Sequence, residues 1–232
     1  LHDALVQSCD VYFYNLGQSL GIDNLAKYAK KLGFGSHTGI GLSGEKSGLI
    51  PSTAWKKKVK NEVWFPGETI SASIGQGYNL VTPLQNASMI SAIANGGFLS
   101  KPYLVKKIED SEGKLIKEFP PKNLTNIEMD PEILKHLKEG LRGVVYEPHG
   151  TGHRARLKNI IVSGKTGTAQ VVGMKDSEDI DPEEKIPYSF RDHAWFVAFA
   201  PYENPDIAVS IIIEHGGHGG ETAAPIARKI IK

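Results

Sequence analysis

Lys165, Thr166, Gly167 and Thr168 follow the strand-like run Ile160-Ile161-Val162-Ser163-Gly164 and carry the densest chemistry in the sequence. A lysine, two hydroxyls and a glycine without a side chain, set along one strand edge, make a clamp for a carboxylate, with Gly167 letting a ligand backbone come close. Each hydrogen bond to a charged group contributes about 1.5–3 kcal/mol, enough to position a peptide C-terminus. Ser8 and Asp10 stand two apart, just before the aromatic run Val11-Tyr12-Phe13-Tyr14-Asn15. A hydroxyl and a carboxylate at that spacing can enter a proton-relay network facing the clamp. Ser177-Glu178-Asp179 repeats the spacing, but within an acidic stretch that offers no rigid support.

Other reactive side chains are weaker candidates. Ser43-Gly44-Glu45-Lys46 and Ser111-Glu112-Gly113-Lys114 pair a serine with a lysine, yet a base reaches its serine at this spacing only on a helical turn, which Gly44 and Gly113 oppose. His215 and His218, flanked by Glu214 and Glu221, sit in a glycine-rich run that reads as a flexible loop, and His149 and His153 lie among Gly150-Thr151-Gly152. Neither group has a scaffold for a metal, and no metal or cofactor is expected. The single cysteine, Cys9, has only His2 nearby as a base and reads as a packed thiol.

Helices must position the first half of these residues and strands the second. Asp23 is placed to cap a helix with Leu25, Tyr28, Ala29 and Leu32 at helical spacing, stopped by Gly33. Thr82-Pro83 opens another, with Leu84, Ala87, Ile90 and Ala94 on one face and Asn95-Gly96-Gly97 at its end. A hairpin follows, 103–108 with 114–119 around Asp110-Ser111-Glu112-Gly113. Asp130-Pro131 begins a helix with Ile133, Leu134, Leu137 and Leu141 inward. Strands are expected over 160–172, 194–200 and 207–214, the last two a hairpin, and their apolar runs require cover on both faces, in part from a helix over 223–231. The acidic stretch 174–188 reads as a solvated loop.

The 232 residues suffice for one large domain or two packed lobes: about 1–100 mainly helical, about 101–232 mainly sheet. At 40% hydrophobic and 23% charged, with net charge +1, the composition is that of a folded globular protein and excludes a fibrous or disordered chain. The run Lys56-Lys57-Lys58-Val59-Lys60 reads as a solvated face, and nucleic acid is not an expected partner. There is no run of 18 apolar residues, and the sequence opens mid-helix at Leu1-His2-Asp3-Ala4 like part of a longer protein.

Ser8-x-Asp10 followed by Lys165-Thr166-Gly167 resembles the second and third motifs of class B penicillin-binding proteins, whose first is Ser-x-x-Lys. The resemblance extends through 28–51, Gly75-Gln76-Gly77-Tyr78, Thr82-Pro83-Leu84-Gln85 and 191–201. Asp10, Arg191-Asp192-His193 and the glycine-rich 215–220 look most like the elongation-specific transpeptidases; division-specific members more often have asparagine where Asp10 stands.

The resemblance implies an α+β fold of the beta-lactamase/transpeptidase type, incomplete at its N-terminus: a mainly antiparallel sheet flanked by helices, plus a helical lobe, with the cleft between. It implies acyl transfer on the D-Ala-D-Ala end of peptidoglycan stem peptides through a serine that beta-lactam antibiotics also acylate. Ser8, Asp10 and Lys165 would be catalytic. Lys165, Thr166 and Thr168 would hold the carboxylate at Gly167, and the Thr168 N–H would serve the oxyanion. The nucleophile's motif is expected upstream of Ser8, outside this sequence. An N-terminal membrane anchor, a periplasmic catalytic domain, and a membrane glycan polymerase of the SEDS type with other elongation-complex proteins as partners are also implied. A division-specific transpeptidase, a beta-lactamase-like hydrolase and a non-catalytic penicillin- or peptidoglycan-binding sensor are the alternatives.

Overall fold

The computed structural model describes residues 1–171 and 187–232, so nearly all of the acidic stretch 174–188, including Ser177-Glu178-Asp179, lies outside the described residues. The first half is helical: α1 (His2–Val6), α2 (Asp10–Leu20), α3 (Ile22–Lys31), α4 (Thr53–Lys60), α5 (Pro66–Ser73) and α6 (Pro83–Ala94). Proline at the first helical position needs no N–H donor, and at α6 the Thr82 hydroxyl accepts from the Gln85 N–H at 3.1 Å. The Gln85 side-chain Oε1 accepts in turn from the Thr82 N–H at 2.9 Å. The Gln85 amide also donates to the Ser36 and Ser47 carbonyls, 2.8 Å each, pinning the long loop between α3 and α4.

Two expectations about this half are corrected. Gly21, at φ 74°, precedes α3, and the Asp23 carboxylate caps a different helix, accepting from the Thr53 N–H and hydroxyl at the start of α4. The lysine run is not wholly a solvated face: Lys56 is 1% exposed, with Nζ 2.5 Å from Glu68 and 3.4 Å from Glu62 and its ammonium over the Phe65 ring. Burial alone would lower its pKa, but the two carboxylates outweigh that and hold it above the ordinary lysine value.

The second half is built on strands. β1 (Phe98–Ser100) pairs antiparallel with a later strand, and β2 (Lys107–Glu109) with β3 (Leu115–Glu118), the expected hairpin in shorter form. The partner of β1 is β4 (Asn123–Asn126), a pairing that the sequence reading did not contain. α7 (Pro131–Tyr146) is capped by the Asp130 carboxylate. Its buried face is Leu141, Val144 and Val145; Ile133, expected inward, is 53% exposed because the first turn extends past the core.

The central sheet is antiparallel, in the order β5 (Ser163–Ala169), β6 (His193–Ala200) and β7 (Ile207–Ile213), with α8 (Gly219–Ile231) closing the chain. Alternation along β6 sends Ala194, Phe196 and Ala198 to one face, against Ala223, Ala224 and Ala227 of α8. Phe199 goes to the other, with Ile90 and Ala94 of α6 and Leu141 of α7. The sheet is therefore covered on both sides, as its apolar runs require, and among the described residues no strand pairs with the outer edge of β5. The class is the expected mixture of helices and antiparallel sheet.

Candidate active site

Ser8 stands between α1 and α2, with the left-handed backbone φ of 55° that a residue without glycine's freedom adopts only when its surroundings enforce it. The enforcement comes from α1, which lies on α7 where Gly140 and Gly143 leave room: a methyl on Gly140 would meet the Leu5 side chain at 2.9 Å, and one on Gly143 the Val6 side chain at 2.7 Å. His2 adds a 2.7 Å bond to Glu147 just beyond the end of α7. Since α7 also packs against β5, this scaffold aims Ser8 at the strand.

The result is a hydrogen bond from Lys165 Nζ to Ser8 Oγ at 2.7 Å; the same ammonium donates to the Thr166 carbonyl at 3.0 Å. Burial pushes the Lys165 pKa down to about 8, with the charge of Asp10 pulling it back up. Thr166 Oγ1 lies 2.7 Å from Thr151 Oγ1, so a second hydroxyl stands beside that of Thr166. The Thr168 carbonyl accepts from Gln76 Nε2 at 2.8 Å, and the Gln170 N–H donates to Gln76 Oε1 at 3.3 Å.

The strand is backed by the start of α8. A methyl on Gly219 would collide with the Trp195 carbonyl oxygen and come within 2.5 Å of the Gly167 oxygen, so only a glycine lets the helix begin this close. Residues 215–220 are therefore not a free loop. The His215 N–H donates to His193 Nδ1 at 2.9 Å, the Gly217 N–H to the Asp192 carbonyl at 2.9 Å, and Gly219 and Gly220 already belong to α8.

Ser8 and Asp10 are thus brought to Lys165, on the strand that also carries Thr166, Gly167 and Thr168. Thr151 and Gln76 bond to that strand and were not singled out from sequence; for Gln76 the available signal was its place between Gly75 and Gly77, both at positive φ. Cys9 is exposed, contrary to a packed thiol, because it occupies the N-cap of α2 with its side chain off the core. The Ser43–Lys46 and Ser111–Lys114 pairs lie in loops, off any helix. His153 faces the Val145 and Pro148 carbonyls, and no cluster of three or more His, Cys, Asp or Glu among the described residues is placed to hold a metal. A cavity of about 550 Å³, lined by Lys27, Lys30, His37, Ser88, Leu99 and Leu124 among others, touches none of the residues of the Lys165 strand.

Comparison with known proteins places the chain in a family. Residues 1–232 match the penicillin binding protein transpeptidase domain. The peptidoglycan D,D-transpeptidase MrdA of Haemophilus influenzae is 38% identical over 234 residues, covering 100% of this chain and 35% of the relative. Among solved structures, Pseudomonas aeruginosa PBP2 in complex with WCK 5153 superposes with a TM-score of 0.80 at 35% identity, covering 99% of this chain and 46% of that one. Helicobacter pylori PBP2 in complex with MreC gives the same TM-score and identity, with 100% and 40% covered. The chain spans about a third of the length of the curated relatives it matches. With a lysine-threonine-glycine strand facing a serine across the cleft and a family match from end to end, the chain belongs to the penicillin-binding protein transpeptidases.

Proposed function

We propose that this chain is the C-terminal part of a transpeptidase domain, with a helical lobe over about 1–100 and a sheet lobe over about 101–232. The longer protein cross-links peptidoglycan stem peptides during cell elongation. The observation that carries the reading is the Lys165–Ser8 hydrogen bond beside an open strand edge bearing Thr166 and Thr168.

Lys165, Thr166 and Thr168 hold the terminal carboxylate of a D-Ala-D-Ala peptide, and the bare Gly167 lets its backbone lie against β5 like an added strand. The Thr168 N–H donates to the carbonyl oxygen as it gains charge, a contribution of about 3 kcal/mol to the transition state. A serine of the Ser-x-x-Lys motif, carried by the longer protein, attacks the penultimate carbonyl. The terminal D-alanine leaves with a proton that the Ser8–Lys165 pair can relay, and an amine of a second stem then takes the acyl group. Asp10 supplies negative charge that helps keep Lys165 protonated.

The likeness to MrdA proteins and to PBP2 in complex with MreC supports elongation-complex partners, and the penicillin-binding family supports beta-lactam antibiotics as ligands. A glycan polymerase of the SEDS type is the membrane partner in this reading. No helix among the described residues is long and apolar enough to cross a membrane, and the single anchor that places the domain in the periplasm belongs to the longer protein in this reading. The test is incubation of the full-length protein with a labelled penicillin, followed by peptide mapping. An adduct on a Ser-x-x-Lys serine is the expected result. A folded protein that forms no adduct assigns a binding module instead.

A further inference from the structure

Gln76 satisfies the edge of β5 in the way a neighbouring strand would. Its carboxamide donates to the Thr168 carbonyl at 2.8 Å and accepts from the Gln170 N–H at 3.3 Å. Residues two apart in a strand present their backbone groups on the same side, so these are successive outward-facing positions of the unpaired edge. The Thr168 N–H leaves the strand on that side too, directly beside the clamp formed by Lys165 and Thr166.

Gln76 comes from a turn, 74–79, anchored independently of the strand: Asn79 Nδ2 donates to the Ala72 and Gln76 carbonyls, and the Gln76 N–H to the Ser71 carbonyl. The side chain alone bridges the cleft, and the second of its two bonds is long. An extended ligand on this edge requires the Thr168 carbonyl as an acceptor, and any residue reaching further requires the Gln170 N–H.

We propose that Gln76 is a stand-in for the ligand: its carboxamide occupies the strand edge of β5 and is displaced when an extended peptide pairs with that edge. It opposes binding by the worth of the bonds that must be given up, and it weighs more on a long peptide than on a compact ligand. This rests on the strand-addition reading of the proposed function.

The experiment compares wild type with Gln76→Ala and Gln76→Glu in the full-length protein. The substrates are an extended peptide ending in D-Ala-D-Ala and a compact penicillin. Both variants are expected to lower KM for the peptide by about two- to tenfold, the worth of one neutral hydrogen bond, with a smaller effect on penicillin. Hydrogen exchange at the Gln170 amide of the unliganded protein is expected to speed up in Gln76→Ala. A peptide KM that rises or stays constant, or Gln170 exchange that is equal in wild type and variant, overturns the proposal. Where Gln76→Ala lowers the melting temperature, Gln76→Glu carries the comparison, since it keeps the bulk and sets a carboxylate against the Thr168 carbonyl. If the wild type forms no acyl adduct, the transpeptidase reading fails, while the exchange measurement still judges Gln76.

Discussion

Lys165 Nζ donates to Ser8 Oγ at 2.7 Å across 157 positions of sequence. One partner is on a strand, the other at a strained junction between two helices. The strength of the bond depends on pH, because burial has lowered the lysine to about 8 from its ordinary 10.5.

Between those two values the unfolded chain binds more protons than the folded one. Stability therefore rises as pH climbs from about 8 to 10.5, and the cost of the buried ammonium is felt in full below 8. That cost is of the order of 3 kcal/mol, from about 1.4 kcal/mol per pKa unit. Denaturant midpoints should show the rise in the wild type and not in Lys165→Met. Penicillin acylation should move the other way, falling through an apparent pKa near 8 as the clamp loses its charge. Lys165→Met should reduce acylation at neutral pH about ten- to hundredfold, the loss of one charge-assisted hydrogen bond.

Ser8 separates stability from activity. Its φ of 55° costs about 1 kcal/mol in any residue but glycine. Ser8→Gly is expected to hold or raise the melting temperature while abolishing the Lys165 bond and slowing acylation. Ser8→Ala should slow acylation equally without the gain in stability. Equal acylation by Ser8→Gly and wild type would remove Ser8 from the relay.

Gly219→Ala tests the backing of the clamp. The added methyl meets the Trp195 and Gly167 carbonyl oxygens, so α8 must retreat from β5, at a cost of about 1–3 kcal/mol. Calorimetry should register the loss, and penicillin acylation should fall with it, because Gly167 and its neighbours lose their support. Gly217→Ala, where nothing lies within 4 Å of the new methyl but φ is 75°, should lose stability through backbone strain with less effect on acylation.

The buried Lys56–Glu68 pair predicts an acid-labile helical lobe. Burial alone would raise the Glu68 pKa, but hydrogen bonds from Lys56 and the Phe65 N–H outweigh it and bring the carboxyl below the ordinary glutamate value. A lowered folded pKa contributes stability above the unfolded value that disappears as pH falls through the folded one. Melting temperatures of wild type and Glu68→Gln should therefore converge below about pH 4, with the wild type higher at pH 7. Parallel curves over that range would show that the pair contributes nothing.

The clamp was legible in sequence because its parts are contiguous: Lys165 to Thr168 lie on one strand whose apolar approach marks it as a strand. The helix starts at Thr82-Pro83 and Asp130-Pro131 were legible for the same reason, since caps act over three or four residues. What escaped depends on contacts between distant segments. Nothing near Gln76 shows that its partners will be backbone atoms of Thr168 and Gln170, which carry no side-chain signature. Lys56 shares its run with exposed lysines and is distinguished by Glu62 and by Glu68, twelve residues on. Asp23 has the right chemistry for a cap, but its partner is the helix beginning at Thr53.

The open edge of β5 carries a further consequence, from the composition of the strand. An unpaired edge normally invites a second copy of itself, and the segments that stack into fibrils are bulky, apolar and poor in glycine. Ser163-Gly164-Lys165-Thr166-Gly167-Thr168-Ala169 is the reverse: small, hydroxylated and carrying a charge. Its cohesion comes from β6 beside it and α8 beneath it. A strand edge of that composition can stay open without offering a surface on which copies of itself would stack.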